Sequence, residues 1–220
     1  RKPEKEFSLV SRYLYEDRWG GQTNWKRKEH RGSDDVYGES IITNRIEAIG
    51  LYEIPIQEKI ITQFSANYHH QNSFYGPESY QGKQFVLFGQ AYWDKTIQNH
   101  SLLLGSSYKY TYYDDNTRAT GEYDEDDHLV KNNPMKTPIT GIFIQDEWTL
   151  NSYNKLLLGY RFDYDKTHKA IHSPRIAYKF SPTTRQTLRA SFGSGFRVVN
   201  VFTEDHRALT GARKVVFENE

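Results

Sequence analysis

Residues 155–164 read Lys-Leu-Leu-Leu-Gly-Tyr-Arg-Phe-Asp-Tyr, and the alternation of side chains in this stretch decides the fold class. Every second residue is aliphatic or aromatic: Leu156, Leu158, Tyr160, Phe162 and Tyr164. The residues between them carry every charge of the stretch: Lys155, Arg161 and Asp163. A period of two places the two sets on opposite faces of a strand, whereas a helix would distribute the charges around its circumference. The stretch therefore predicts a β-strand with one apolar and one polar face.

The same alternation recurs along the chain and predicts about nine strands. The segments are 6–16, 41–53, 59–69, 84–93, 102–112, 139–150, 155–164, 173–180 and 187–192. In 84–93 both faces are apolar, so the pattern leaves the orientation of that strand open.

The segments that connect the predicted strands alternate in length. Four are brief and contain turn residues: 54–58, 94–99, 151–154 and 181–185. The intervening ones, 17–40, 70–83 and 113–138, are long and polar, and 165–172 is expected to be the shortest of these yet longer than a hairpin turn. This rhythm predicts an antiparallel meander with short periplasmic turns and long extracellular loops.

The composition agrees with a transmembrane β-barrel. The chain has 220 residues, a net charge of +1, no cysteine and 15% aromatic residues. The charge balance argues against a nucleic-acid partner, and the absence of cysteine excludes disulfides and thiolate zinc sites. A mean hydropathy of −0.83 with so many aromatics is unusual for a disordered chain, but barrel strands produce it by alternating lipid-facing and lumen-facing residues.

Four motifs follow one another in the second half of the chain. They are Gly-Ile-Phe-Ile-Gln-Asp-Glu-Trp (141–148), Leu-Gly-Tyr-Arg-Phe-Asp-Tyr (158–164), Ser-Pro-Arg-Ile-Ala (173–177) and Leu-Arg-Ala-Ser-Phe-Gly-Ser-Gly-Phe-Arg (188–197). This order resembles the barrel domain of TonB-dependent outer-membrane receptors. Residues 12–21 and 199–213 are similar to a subgroup common in gut and soil Gram-negative bacteria.

The resemblance implies an all-β transmembrane barrel of about 22 strands in the bacterial outer membrane. Residues 1–220 would then be a fragment of the barrel domain, without the plug domain and the C-terminal strands. The implied activity is TonB-coupled import of a scarce nutrient such as an iron-siderophore, haem or cobalamin, with no catalysis and no cofactor. The implied partners are outer-membrane lipid, the receptor's own plug domain, the TonB complex through the missing N-terminal region, and a surface lipoprotein.

On this interpretation the polar face lines the lumen and faces the plug. Its charged members are Arg45, Glu47, Arg161, Asp163, Arg175, Lys179 and Arg189. The alternative is that these charges only solvate one another and water. Since the polar face lines the lumen, replacing Arg161 by alanine is expected to be mild. No nucleophile lies near them in the pattern, so catalysis is not expected.

Two of the long segments hold candidate ligands. The acidic segment 113–138 contains four aspartates that could bind Ca²⁺, although without EF-hand spacing: Asp114, Asp115, Asp124 and Asp126. A solvated acidic loop is the alternative. The segment 17–40 contains aromatic and cationic residues that could capture an anionic ligand, with a mobile exposed loop as the alternative: Trp19, Trp25, Lys26 and Arg27.

Two other architectures remain open at this point. One is a small self-contained outer-membrane barrel or adhesin, and the other is a soluble β-sandwich that binds glycans. The sandwich predicts that the apolar residues of 155–164 are buried against a second sheet, whereas the barrel exposes them to lipid.

Overall fold

Nine long strands form one antiparallel sheet in the computed structural model, which describes residues 6–126 and 128–197. They are β1 (Phe7–Gly21), β2 (Gly38–Glu53), β3 (Lys59–Tyr75), β4 (Glu78–Ile97), β5 (His100–Asp115), β8 (Met135–Asn151), β9 (Asn154–Asp165), β10 (Lys169–Thr183) and β11 (Gln186–Gly193). A small separate hairpin consists of β6 (Gly121–Tyr123) and β7 (Leu129–Asn132), and a single turn of helix, α1, spans Arg27–His30. The motif at 199–213 lies outside the described residues.

The strands of the large sheet pair in chain order, with β5 beside β8, so the predicted meander is confirmed. Strands β1 and β11 are the two edges, and the sheet is open between them. In the described part of the chain the only other sheet is the β6–β7 hairpin. Leu158 and Tyr160 are 47% and 43% exposed, so the sandwich interpretation is wrong. No helix within the described ranges is long and apolar enough to cross a membrane.

The short connections lie where the sequence predicts them. Residues 54–58 join β2 to β3, and two-residue turns at 98–99, 152–153 and 184–185 join the later pairs. We call this the short-turn end of the sheet and the opposite end the long-loop end.

The prediction of a long loop at 70–83 is wrong. Strand β3 continues to Tyr75 and β4 begins at Glu78, with only Gly76 and Pro77 between them. Gly76 has a φ of +61°, a left-handed conformation that favours glycine. The polar residues that suggested a loop continue the ladder instead, because residues 70–75 pair with β2 on one side and with residues 78–83 of β4 on the other.

The connection at 165–172 is also shorter than predicted. Strand β9 ends at Asp165 and β10 begins at Lys169, which leaves a three-residue hairpin turn at 166–168. It is not the shortest connection at the long-loop end, since the turn at 76–77 is shorter. Long segments at this end are confirmed only at 22–37 and 116–134.

The strand register fixes which side chains share a face. Directly opposed residues of neighbouring strands point to the same side, so each face can be followed from β1 to β11. The face that contains Leu158 is the apolar face, and the one that contains Asp163 is the polar face. The register also orients β4, which the sequence left open, because Leu87 pairs with Tyr110 on the apolar face and Gln90 with Ser107 on the polar face.

Candidate functional site

The polar face holds a buried ion pair between Arg161 and Asp163 on β9. Arg161 Nε donates to Asp163 Oδ2 and its NH2 group to Oδ1, both at 2.6 Å. The guanidinium also donates to Ser107 Oγ at 2.8 Å. Asp163 is 0% exposed although it belongs to the polar face. The two-pronged contact fixes the guanidinium plane, so Arg161 forms a rigid part of the wall.

A glycine makes room for this pair. Gly141 on β8 lies directly opposite Asp163, and a Cβ added at Gly141 would come within 2.2 Å of Asp163 Oδ1. Any other residue at this position would force the carboxylate away from Arg161. The first residue of the motif at 141–148 is therefore a glycine that leaves space for the Asp163 carboxylate on the polar face.

A second charge cluster occupies the polar face of β1 to β3. Glu47 accepts hydrogen bonds from Arg12 on the neighbouring strand and forms an ion pair with Arg45 on its own strand. Asn67 Nδ2 donates to Glu47 Oε1 at 2.8 Å. Sequence analysis missed Arg12 as a candidate, although its place in the alternation of 6–16 puts it on the polar face. The missing information was the register, which sets Arg12 directly opposite Glu47.

Three cations at the β10–β11 edge lack such partners. Within the described residues, Arg175, Lys179 and Arg189 form no ion pair. Lys179 lies directly between Lys155 and Arg189, and of these only Lys155 has an anion, Glu147, at 2.5 Å. All seven predicted lumen-facing residues thus share one face, but their contact with a plug stays a prediction.

The tryptophans of the first long segment pack against the strand ends. The rings of Trp19 and Trp25 stack with centroids 5.8 Å apart, and Trp25 is only 7% exposed. The indole lies against Gly38, where a Cβ would come within 2.4 Å of the ring. Arg27 forms an ion pair with Asp17, and Lys26 forms one with Glu29 at 3.2 Å.

Arg31 fastens the same loop to the sheet. Its Nε donates to Ser40 Oγ at 3.1 Å, its NH2 group donates to Asn72 Oδ1 at 2.9 Å, and its guanidinium lies 4.4 Å from the centre of the Phe74 ring. Burial and the nearby charge of Arg27 lower the pKa of Arg31, while Asp17 opposes the shift.

The loop at 22–37 lies on the apolar-face side of the sheet. Most of its contacts are to residues that continue the apolar-face alternation, in particular Asp17, Trp19, Ser40, Asn72 and Phe74. Tyr37, next to β2, instead donates to Glu39 of the polar face at 2.8 Å. Trp25 and Arg27 are therefore occupied in holding the loop against the outer wall. Among the candidate ligand-loop residues, Lys26 is the most exposed cation, and its only ion-pair partner within the described ranges is Glu29 of its own loop.

Two acidic residues of the other long segment accept hydrogen bonds from residues of the same segment. Asp115 Oδ1 accepts hydrogen bonds from Thr117 N at 2.9 Å and from the Thr117 and Thr120 hydroxyls at 2.8 Å. Asp124 Oδ1 accepts from the backbone amides of Asp126 and His128 at 3.0 and 2.7 Å. In the ranges that the structure describes, no three acidic or histidine side chains are grouped so that they could hold a metal ion.

Aromatic side chains form two rows along the apolar face. The upper aromatic row, toward the long-loop end, consists of Tyr13, Tyr15, Tyr68, Phe85, Tyr108, Tyr110, Tyr112, Tyr160 and Tyr164. The lower aromatic row consists of Phe7, Tyr52, Trp93, Trp148 and Tyr178. Two such rows that flank an apolar band are typical of a membrane-spanning barrel wall.

Comparison with known protein families identifies this wall. A family model described as "TonB dependent receptor-like, beta-barrel" matches residues 4–205. The chain belongs to this family. TonB-dependent receptors are outer-membrane transport receptors of Gram-negative bacteria, and the family in general has a plug domain and interacts with TonB.

Two solved structures resemble the chain. The siderophore receptor PirA from Pseudomonas aeruginosa has a TM-score of 0.48 and 13% identity over 90% of this chain. The ferric enterobactin receptor PfeA from the same organism has a TM-score of 0.46 and 11% identity over 84% of this chain. The chain spans 35% and 38% of the lengths of these two receptors. No curated protein gives a significant match.

Proposed function

We propose that this chain forms part of the wall and the surface loops of a receptor that binds a scarce nutrient outside the cell and imports it with energy from TonB. The nutrient class is an iron-siderophore, haem, cobalamin or a similar compound. The observation that carries the proposal is the division of all nine strands into an apolar and a polar face, in a chain that belongs to a family of transport receptors.

The side chains of the polar face support a polar lumen in which the carboxylates are paired with arginines. The carboxylates Glu47 and Asp163 are each neutralised by arginines of the wall. Within the described residues Arg175, Lys179 and Arg189 form no ion pair, so this part of the face is positive, which favours an acidic surface of the plug domain or an anionic solute.

The structure favours ligand capture by some loop residues over others. Trp25 and Arg27 are engaged with the wall, so we assign capture to exposed residues such as Lys26 and to the hairpin β6–β7, where Val130 is exposed. A surface lipoprotein that covers these loops stays part of the proposal.

Uptake by cells that carry the full receptor tests the proposal. Radiolabelled ferric siderophores, haem and cobalamin are supplied separately to cells with and without functional TonB. We expect at least one compound to accumulate only when receptor and TonB are both present. Reversing the charge of Lys179 and Arg189 together should reduce accumulation while surface binding persists, because these residues line the path and not the mouth.

Two outcomes of the uptake experiment would contradict the proposal. Binding without accumulation of any compound, in cells where TonB is active, would contradict import and favour an adhesin. Equal accumulation with and without TonB would contradict energy coupling.

A further inference from the structure

A patch of cations lies on the polar face of β9 to β11, at the short-turn end of the sheet. Lys155, Lys179 and Arg189 are directly opposed to one another in one row across these strands, and Arg175 lies on β10 above them, toward the long-loop end. We propose that this cationic patch is an exit site, which binds a solute with two anionic groups, such as carboxylates, before the solute enters the periplasm. The proposal rests on the proposed function, which requires the short-turn end to face the periplasm.

The sheet itself does not balance the charges of the patch. Like charges that are directly opposed on neighbouring strands destabilise a sheet. Lys179 has a cation on each side, and within the described residues the row contains one ion pair, between Lys155 and Glu147 at 2.5 Å. Both strand neighbours of β10 are described, so no further strand can bring an anion directly beside Lys179 or Arg175. An anion that neutralises these two residues therefore has to come from the lumen.

Glycines keep the space beside Arg175 open. Gly159 and Gly193 lie directly opposite Arg175 on its two sides. A Cβ added at Gly159 would come no closer than 3.6 Å to its neighbours, and one added at Gly193 no closer than 3.4 Å, so packing within the sheet does not require glycine at either position. The floor between the cations consists of small side chains, with Leu157 beside them: Gly159, Ala177, Ser191 and Gly193.

The cations of the patch suit a solute in transit. Arg175 and Arg189 are exposed and Lys179 is half-buried, whereas the guanidinium of Arg161 is held by Asp163. Long side chains that are free to move lose rotamer entropy when they bind, which weakens each contact. A solute that passes through a pore must bind at several sites and weakly enough to leave again.

The spacing of the cations favours a solute with two anionic groups. Arg175 and Lys179 are separated by four residues of an extended strand, which places their Cα atoms about 13 Å apart. Lys179 and Arg189 are neighbours in one row and can contact the same anionic group. One group then binds at Arg175 and the other at Lys179 and Arg189, with the small side chains between them.

A dicarboxylate that can be located in crystals tests the proposal. Crystals of the full receptor are soaked in amino-triiodoisophthalate, and the anomalous scattering of its iodine atoms locates the probe. We expect it over Ala177 and Ser191, with one carboxylate at Arg175 and the other at Lys179 and Arg189. Absence of the probe from the patch would overturn the proposal, and so would an acidic side chain of the plug domain bonded to Lys179 in its place.

Titration calorimetry of the full receptor in detergent measures the affinity for the same probe. Arg175→Gln and Lys179→Gln should each weaken binding about tenfold, because each removes one charge-assisted contact. Binding of the probe at crystal concentration only, with none in solution, would overturn the proposal. Wild-type affinity in both variants would overturn it as well.

Lys109→Gln is the matched control. It removes a cation from the polar face at a position outside the patch, on β5 between Phe88 and Ile139. We expect wild-type affinity in this variant. Losses of affinity as large as those of Arg175→Gln and Lys179→Gln would show a general effect of lumen charge and overturn the proposal.

A related ring with a single carboxylate, triiodobenzoate, tests the requirement for two anionic groups. It should bind about tenfold more weakly than the dicarboxylate, and equal affinity would overturn the proposal. These measurements need neither TonB nor the imported nutrient. Binding of the probe without nutrient uptake would contradict the proposed function alone, and uptake without binding of the probe would contradict the exit site alone.

Discussion

On one face of the nine-stranded sheet Leu158 is 47% exposed, while on the other face Asp163 is 0% exposed. A water-soluble protein shows the reverse, with leucine inside and aspartate at the surface. On the polar face, Asp163 and Glu47 are covered by arginines of the same wall.

The difference follows from the surroundings of each face. A charge directed at hydrocarbon costs free energy that no neighbour in the lipid can offset, so the apolar band is made mainly of aliphatic and aromatic side chains, and its carboxylate Asp146 is hydrogen-bonded to His100 Nδ1 at 2.7 Å. A charge directed at a lumen has water and other side chains as partners, and there the cost depends on pairing. The two faces should therefore differ in how much the free energy of unfolding changes when a charged side chain is added or removed.

The largest expected effect comes from placing a charge on the apolar face. Leu158→Arg should destabilise the assembled receptor by about 2–4 kcal/mol, because the new guanidinium faces hydrocarbon and Asp146, directly opposite it, is already bonded to His100 at 2.7 Å. Leu157→Arg is the matched control, since Leu157 is the adjacent leucine and lies on the polar face opposite Ala177. We expect it to be much milder. The free energy of unfolding in lipid vesicles measures both, and equal costs would contradict the assignment of the faces.

A smaller effect is expected from breaking the ion pair of the polar face. Arg161→Ala leaves the Asp163 carboxylate buried without its donor and should cost about 2 kcal/mol, more than the mild effect that the sequence alone suggests. Arg161 itself is 35% exposed, which keeps the cost moderate because water can enter.

A double-mutant cycle isolates this pair. Arg161→Ala combined with Asp163→Ala should be less destabilising than the sum of the single changes, because the orphaned charge is gone. Strict additivity of the two unfolding free energies would show that the polar face does not depend on this contact.

The smallest expected effect concerns the place where the apolar face leaves the membrane. Gly38→Ala would bring a Cβ within 2.4 Å of the Trp25 ring and should displace the indole, at a cost of about 1 kcal/mol confined to the loop at 22–37. Protease added to whole cells should then cut within 22–37 faster than in the wild type. The segments 152–153 and 184–185, at the short-turn end, should be spared.

Gly20→Ala serves as the control for this loop. A Cβ at Gly20 meets nothing within 4 Å, so the loop should keep its wild-type resistance to protease. Equal cleavage of the wild type and both variants would mean that Trp25 does not hold the loop on the wall.

The alternation of side chains was sufficient to predict the nine strands of the large sheet and, except in 84–93, their two faces. Period two is a local property of an extended chain, and a membrane forces it to be strict wherever one face meets lipid. For this reason the strand that contains Leu158 and Arg161, and its two faces, could be predicted without knowing which strands lie beside it. The same alternation placed all seven charged candidates, from Arg45 to Arg189, on one face.

The strand ends could not be predicted in the same way. Above the bilayer, polar residues are compatible with a loop or with a paired strand, so 70–83 was predicted as a loop although β3 and β4 continue through it. Asp115 and Asp124 were likewise predicted as possible calcium ligands. The sequence could not show that their carboxylates accept hydrogen bonds from nearby backbone amides, because those bonds depend on how the loop folds.

Register and packing decided the rest, and both depend on contacts between residues distant in sequence. Only the pairing of β1 with β2 brings Arg12 to Glu47, and only the pairing with the neighbouring strands β3 and β5 orients β4. Likewise, the fit of Trp25 against Gly38 and the hydrogen bonds of Arg31 to Ser40 and Asn72 hold the first long loop on the outer wall. The sequence by itself determined the two faces, since alternation is local; the tertiary structure decided which charges meet and where the loops lie, since these depend on which strands are neighbours.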